Sequence, residues 1–269
     1  MQHVPSILIA GYGAMTGAMV EGWLRAGLPA ERFTAYDPQP RSAPAGVTVT
    51  SRLPKGPFDI VLLGVKPQAL AAAAPALEPL VGPHTVLISV LAGVELASLA
   101  RHFPRAGGTV RLLPNLAVAL GKSANALVAS GLDRERQAVV TALAEMLGGA
   151  EWMEDEAQCD LVTALGGSGP AFVYRFIDAL AAGGTRLGLD GEQAQRLALR
   201  MVEGAAALAA VAPQSPAELA RKVASPGGTT EAGLDVLDEG EALVRLVTET
   251  LRAARDRSRE MAAAARTDD

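Results

Sequence analysis

The residues of this 269-residue chain that could do chemistry gather in two glycine-rich stretches, one near each end. The first, Gly11-Tyr12-Gly13-Ala14-Met15, follows the apolar run Ile7-Leu8-Ile9-Ala10 and leads into an amphipathic segment through Val20, Trp23 and Leu24 that stops at Gly27. Strand, glycine turn and helix in that order suit a pyrophosphate. Gly11 allows the tight turn, Gly13 lets the backbone approach the phosphates, and the positive end of the helix at Ala14 and Met15 faces them. The spacing points to a dinucleotide, NADPH or NADH, and an ordinary strand-to-helix turn is the bland alternative. The third position of the fingerprint is Thr16, with Gly17 one place late, which bears on how closely helix and strand approach. Asp37 ends the second apolar run, where a carboxylate can hydrogen-bond the adenosine ribose and repel a 2′-phosphate, favouring NADH. Arg41 could instead pair with a 2′-phosphate, and Asp37 could simply initiate the turn before Pro38.

The second stretch is Ser225-Pro226-Gly227-Gly228-Thr229-Thr230, between two helical segments. Consecutive N–H groups at Gly227, Gly228 and Thr229, where a helix begins near Thr230, make a nest for a carboxylate, and the threonine hydroxyls add neutral donors. A capped helix-to-helix connection would read the same way. Outside these stretches the reactive side chains are sparse. One cysteine, Cys159, excludes an intrachain disulfide and a multi-cysteine metal site, and it reads as a small buried apolar residue. The three histidines, His3, His84 and His102, are scattered, none where a hydride-transfer base is expected, so no metal is expected either.

The elements that must hold these stretches follow from the patterning. From residue 6 to about 153, apolar runs at Ile7-Leu8-Ile9-Ala10, Phe33-Thr34-Ala35-Tyr36, Ile60-Val61-Leu62-Leu63, Val86-Leu87-Ile88-Ser89, Val110-Arg111-Leu112-Leu113 and Ala126-Leu127-Val128 alternate with Ala/Leu-rich helical stretches. That rhythm predicts an α/β, Rossmann-like, doubly wound and mainly parallel sheet over residues 1–157. After Glu154-Asp155-Glu156 the strands stop. Helical periodicity over 160–187, 190–210, 215–223, 230–237 and 241–265 predicts an all-α C-terminal domain over 158–269. Ser215-Pro216-Ala217-Glu218 marks one helix start with a capping box. The stretch from Ala171 to Leu180 is apolar almost all round, which predicts burial against a second subunit.

Composition narrows the classes further. With 24 Lys+Arg against 29 Asp+Glu the net charge is -5, and the basic residues are dispersed, so no nucleic-acid partner is expected. No apolar run approaches the ~20 residues of a membrane span, and the first ten residues carry a strand rather than a signal sequence. A cytoplasmic protein with no membrane partner is expected.

The loop from Ser225 to Thr230, with Ala232-Gly233-Leu234, is similar to the signature of the pyrroline-5-carboxylate reductases. Val65-Lys66-Pro67-Gln68, Ser89 with Ala92-Gly93, Val110-Arg111 with Pro114-Asn115, and Gly167-Ser168-Gly169-Pro170-Ala171 resemble that family's other recurring blocks, so the resemblance covers nearly the whole chain. It implies NAD(P)H-dependent reduction of 1-pyrroline-5-carboxylate to L-proline, the last step of proline synthesis, on a homodimer with intertwined helical domains. By the same resemblance Ser225, Gly227, Gly228 and Thr229 would hold the substrate carboxylate, and Thr230 would be the catalytic side chain, its hydroxyl near the ring nitrogen. Val65, Lys66 and Pro67 would lie along the cofactor, and Asn115, Ser168, Gly169 and Pro170 would line the nicotinamide side. Three positions depart from the family's pattern. Leu113-Pro114-Asn115-Leu116-Ala117 stands where Met-Pro-Asn-Thr-Pro is usual, Thr16 stands where a small residue is favoured, and many members lack an acid at Asp37.

An imine is already an electrophile, so hydride transfer needs positioning and a proton source more than a strong base. Two other readings compete. A related imine or β-hydroxyacid oxidoreductase would share the two-domain plan, but the latter uses a lysine on the first long helix of the second domain, and this chain has no lysine between Asp160 and Leu187. A dinucleotide-binding regulator that lost its chemistry would share the fold, yet the loop through Thr230 is intact.

Overall fold

Apolar runs without alternation mark strands that are buried on both faces, and such strands form the centre of the sheet. The computed structural model describes residues 4–267. Eight strands, β1 (Ile7–Ala10), β2 (Phe33–Tyr36), β3 (Thr48–Thr50), β4 (Ile60–Leu63), β5 (Val86–Ser89), β6 (Gly108–Leu113), β7 (Ala126–Ser130) and β8 (Glu151–Trp152), form one sheet in the order β3-β2-β1-β4-β5-β6-β7-β8. All neighbours are parallel except β6 and β7. Strands β3 and β8, of three and two residues, are too short to show a periodicity and were not anticipated by the sequence pattern.

Successive side chains of β1 point to opposite faces, as the pleat requires. Ile7 and Ile9 join one core with Met19, Val20 and Trp23 of helix α1 (Ala14–Arg25), and this core also takes in Val140 and Leu143 of a later helix. Leu8 and Ala10 join the other core with Leu70 and Leu77 of α2 (Leu70–Leu77) and Leu99 of α3 (Leu96–His102). The later helix is α4 (Arg134–Met146), capped by the Asp133 carboxylate accepting the Arg136 N–H. Trp23 stacks on Phe33 with ring centroids 5.7 Å apart and donates its indole N–H to the Leu143 carbonyl at 2.9 Å. Helices on both faces of a mainly parallel sheet are the doubly wound arrangement that the alternating pattern predicts.

The single helix expected over 160–187 is broken. It runs as α5 (Cys159–Val162), a π-helical turn at Thr163–Gly167, and α6 (Gly169–Arg186). The physical reason lies in Gly166-Gly167, the poorest helix formers short of proline, and in Pro170, which supplies no N–H and suits only a first helical turn. Beyond α6 come α7 (Gly191–Val211), α8 (Pro216–Val223), α9 (Thr229–Asp238) and α10 (Ala242–Thr267). The start of α8 is the expected capping box: Glu218 donates its N–H to the Ser215 hydroxyl, and its carboxylate accepts the Ser215 N–H at 2.8 Å.

The chain forms two compact units, one running to Ser168 and including the chain from Ala254 onward, the other Gly169–Ala253. The core of the helical unit is slight, consisting of Ala181, Ala194 and Ala198 with Ile177 and Leu180 against them. Many of its large apolar side chains are exposed, among them Tyr174 at 68% and Leu246 at 67%. Among the described residues no helix is long and apolar enough to cross a membrane.

Candidate active site

In the sheet, β1 lies between β2 and β4, where the strand order reverses direction. The carboxyl ends of strands at such a switch point form the crevice in which doubly wound sheets hold their ligands. The chain leaves β1 at Gly11, whose φ is 95° and whose added Cβ would lie 2.6 Å from the Val65 nitrogen, so a side chain is excluded both by conformation and by space. Its N–H donates to the Tyr36 carbonyl at 2.9 Å, tying the turn to β2. At Gly13, the N-cap of α1, an added Cβ would meet nothing within 4 Å. That open approach, with Ala14 and Met15 supplying first-turn N–H groups that a helix leaves without intrahelical partners, fits a pyrophosphate.

Asp37 follows β2 and uses both carboxylate oxygens: Oδ2 accepts the Tyr12 N–H at 2.9 Å and Oδ1 accepts the Gln39 N–H at 2.8 Å. The second contact is the turn-initiating role left open by the sequence; the first places the carboxylate against the glycine turn. Val65, Lys66 and Pro67 follow β4, with Lys66 exposed and held at ψ 142° by the proline after it. Asn115 is buried and bonded through its backbone and both ends of its side-chain amide. Its Nδ2 donates to the Gly166 carbonyl at 2.9 Å, its Oδ1 accepts the Ala117 N–H at 2.9 Å, and its own N–H donates to Ser123 Oγ at 2.9 Å. It therefore ties the end of β6 to the π-helical turn. Ser168 closes that turn by donating its N–H to the Thr163 carbonyl at 2.9 Å, and Gly169 and Pro170 open α6.

A cavity of about 200 Å³ opens at the carboxyl ends of β5 and β6, lined by Met15, Ser89, Leu91, Leu113, Pro114 and Thr163 among others. Thr163, the first residue of the π-helical turn, is on this wall and carried no signal in the sequence. Such turns inside helices recur at functional sites. Arg111 lines the same cavity and pairs with Glu156 at 2.6 Å; the same carboxylate oxygen accepts the Leu96 N–H at 2.8 Å. Cys159 is buried, and burial pushes its thiol above the ordinary value against the opposing pull of Arg111, so it is a poor nucleophile. His84 sits in an exposed turn and His102 at the end of α3, whereas His3 lies outside the described residues.

In the helical unit, the loop between α8 and α9 turns at Gly227, where φ is 70°. Gly228 donates its N–H to the Ser225 carbonyl at 2.8 Å and caps α9, which begins at Thr229. The Gly227 N–H donates to the Glu231 carboxylate at 2.6 Å. Of the three expected amides, two are thus satisfied, Gly228 within the loop and Gly227 by a side chain of α9. One of them is satisfied by a carboxylate, the chemistry that the loop is expected to recognise. Thr229 and Thr230 are exposed in the first turn of α9.

A glycine turn at the switch point of a doubly wound sheet, in a chain that continues into an all-helical unit, defines a two-part protein of the Rossmann type. Residues 156–261 match the description "Pyrroline-5-carboxylate reductase dimerisation", and residues 19–113 match "Ketopantoate reductase PanE/ApbA". The chain is 36% identical to the pyrroline-5-carboxylate reductase of Pseudomonas aeruginosa, covering 96% of this chain and 97% of that one. It is 33% identical to pyrroline-5-carboxylate reductase 2 of Bacillus subtilis, with 95% and 96% covered. The solved pyrroline-5-carboxylate reductase of Coxiella burnetii superimposes with a TM-score of 0.88 at 29% identity, over 96% of this chain and 98% of that one. The chain belongs to the pyrroline-5-carboxylate reductase family.

Proposed function

We propose that the protein reduces 1-pyrroline-5-carboxylate to L-proline with NADH or NADPH, working in the cytoplasm as a homodimer or a larger assembly of dimers. The observation that carries this reading is the loop Ser225–Thr230, a glycine turn capping α9 whose Gly227 amide already holds a carboxylate. Support comes from relatives named for that reaction over nearly the full chain. A related structure from Plasmodium falciparum, similar in fold, was solved with NADP bound.

The nicotinamide, when bound, supplies the hydride; the chain's residues supply position. Gly11, Gly13, Ala14 and Met15 hold the pyrophosphate, Asp37 meets the adenosine ribose, and Val65, Lys66 and Pro67 border the cofactor. Asn115, Ser168, Gly169 and Pro170 shape the nicotinamide side, Asn115 by bracing the π-helical turn. Ser225, Gly227, Gly228 and Thr229 frame the substrate carboxylate, and Glu231 must release the Gly227 amide if substrate is to take it. Thr230, exposed in the first turn of α9, would hold its hydroxyl toward the ring nitrogen, the atom that must gain a proton when the imine is reduced. Residues 1–157 act as the dinucleotide part and 158–269 as the substrate and dimerisation part. The exposed apolar faces of α6 and α7 support a second copy as their cover.

The test is oxidation of NADH and of NADPH in the presence of pyrroline-5-carboxylate, beside a panel of 2-keto acids and other cyclic imines. Turnover with pyrroline-5-carboxylate well above the panel is expected. Measurable cofactor binding without turnover on it would favour the regulator reading instead.

A further inference from the structure

Thr16 stands where the dinucleotide fingerprint has a small residue, and the structure shows what it does there. The side chain is 1% exposed. Its hydroxyl donates to the Gly11 carbonyl at 2.9 Å and accepts the Gly13 N–H at 3.0 Å, so one side chain satisfies a backbone group on each glycine of the turn. Gly13 has no side chain with which to cap α1, and Thr16 reaches back to do the capping from inside the helix. The Gly13 amide is therefore committed to the protein, and the helix offers a phosphate the amides of Ala14 and Met15.

The other branch of Thr16 meets a second segment. A Cβ added to Gly64 would lie 2.3 Å from Thr16 Cγ2 and 2.7 Å from the Gly11 carbonyl oxygen. Gly64 directly follows β4, donates its N–H to the Ala10 carbonyl at 2.8 Å, and leads into Val65-Lys66-Pro67. The larger residue at position 16 is thus accommodated by the smallest possible one at position 64. Between them they fix the glycine turn, the start of α1 and the loop after β4 in one arrangement.

We propose that Thr16 is a positioning residue for the dinucleotide and Gly64 its steric counterpart: the hydroxyl shapes the phosphate turn before the cofactor arrives, and the methyl group locks that turn against the β4 loop. This rests on the dinucleotide reading given above. The two branches have separable tests. Thr16→Val keeps the shape and removes the hydroxyl, leaving the Gly11 carbonyl and Gly13 N–H without their shared partner. Thr16→Ser keeps the hydroxyl and removes the methyl group. Gly64→Ala forces the contact, and Thr16→Ala in the same chain relieves the nearer obstruction and frees the Gly11 carbonyl to shift.

The readout is the dissociation constant of NADH and of NADPH, by calorimetric titration of the full-length protein without substrate, with the melting temperature of each variant measured alongside. Thr16→Val is expected to weaken cofactor binding about five- to tenfold, the size of one net hydrogen bond, and Thr16→Ser to recover most of that loss. Gly64→Ala is expected to weaken binding at least about tenfold through overpacking, and to cost less than about threefold when added to Thr16→Ala. A merely structural role would move the melting temperature and leave the dissociation constants of the folded protein alone, which would overturn the proposal. An equal cost for Gly64→Ala with and without Thr16 would overturn the pairing, and this arm decides the matter if Thr16→Val does not fold. Failure of the unaltered protein to bind either nucleotide would be distinct from both, since it would remove the dinucleotide reading itself and this inference with it.

Discussion

The sheet-bearing unit and the helical unit handle their apolar residues in opposite ways. In the first, β1, β4 and β5 are buried along their whole length between two cores, and Trp23, Phe33 and Phe103 are fully enclosed. In the second, three alanines are the buried residues of the core while Val173, Tyr174, Phe176, Leu208 and Val211 lie exposed. One unit closes its own core. The other presents faces of the kind that a second copy covers, and the Ser225–Thr230 loop belongs to it. The glycine turn thus rests on a self-sufficient scaffold, whereas the Ser225–Thr230 loop belongs to a unit many of whose large apolar side chains are left open.

The strongest way to break this comparison is to place a charge on the helical face. Phe176→Asp is expected to dissociate the protein and lower turnover by more than about 100-fold, since an unpaired carboxylate cannot be buried at an interface without a large penalty. The same change at Leu53, an exposed residue of the sheet-bearing unit, should do little. Sedimentation velocity beside the activity assay separates the two, and an intact dimer for Phe176→Asp would contradict the account. Next in size is Leu62→Ala in β4, expected to cost about 2–5 kcal/mol by urea titration, because it leaves a cavity in a closed core. The folded variant should keep its oligomeric state; a loss of assembly here would blur the distinction.

Two smaller effects probe the sites on each unit. Thr230→Ala should lower kcat about 10- to 100-fold with the cofactor dissociation constant unmoved, and an undiminished rate would remove its role at the ring nitrogen. Asp37→Ser should shift the ratio of the NADH and NADPH dissociation constants toward NADPH by about five- to tenfold, by removing a carboxylate from the ribose end. A constant ratio would leave Asp37 with only its backbone contacts to Tyr12 and Gln39.

What could be read in advance follows the same division. The central strands were legible because burial on both faces demands continuous apolar runs, and α8 because Ser215 and Glu218 encode its start locally. Local pattern did not reveal the break between α5 and α6, since the apolar period continues through Gly166-Gly167 and only backbone propensity interrupts it. Asn115 is singled out by its resemblance to a family block, but its bonds to Gly166 and Ser123 join segments that no local spacing expresses, and Thr163 has no sequence signal at all. Thr16 looked like a flaw in the glycine fingerprint. Its meaning depends on Gly64, far along the chain and adjacent in space, which no local spacing can express.

The most direct measurement of the central claim is to follow the hydride itself. Incubating the protein with pyrroline-5-carboxylate and nicotinamide cofactor deuterated at the transferable position should yield L-proline carrying one deuterium at the former imine carbon, in step with cofactor oxidation. Unlabelled proline, or cofactor oxidation without proline, would contradict the account.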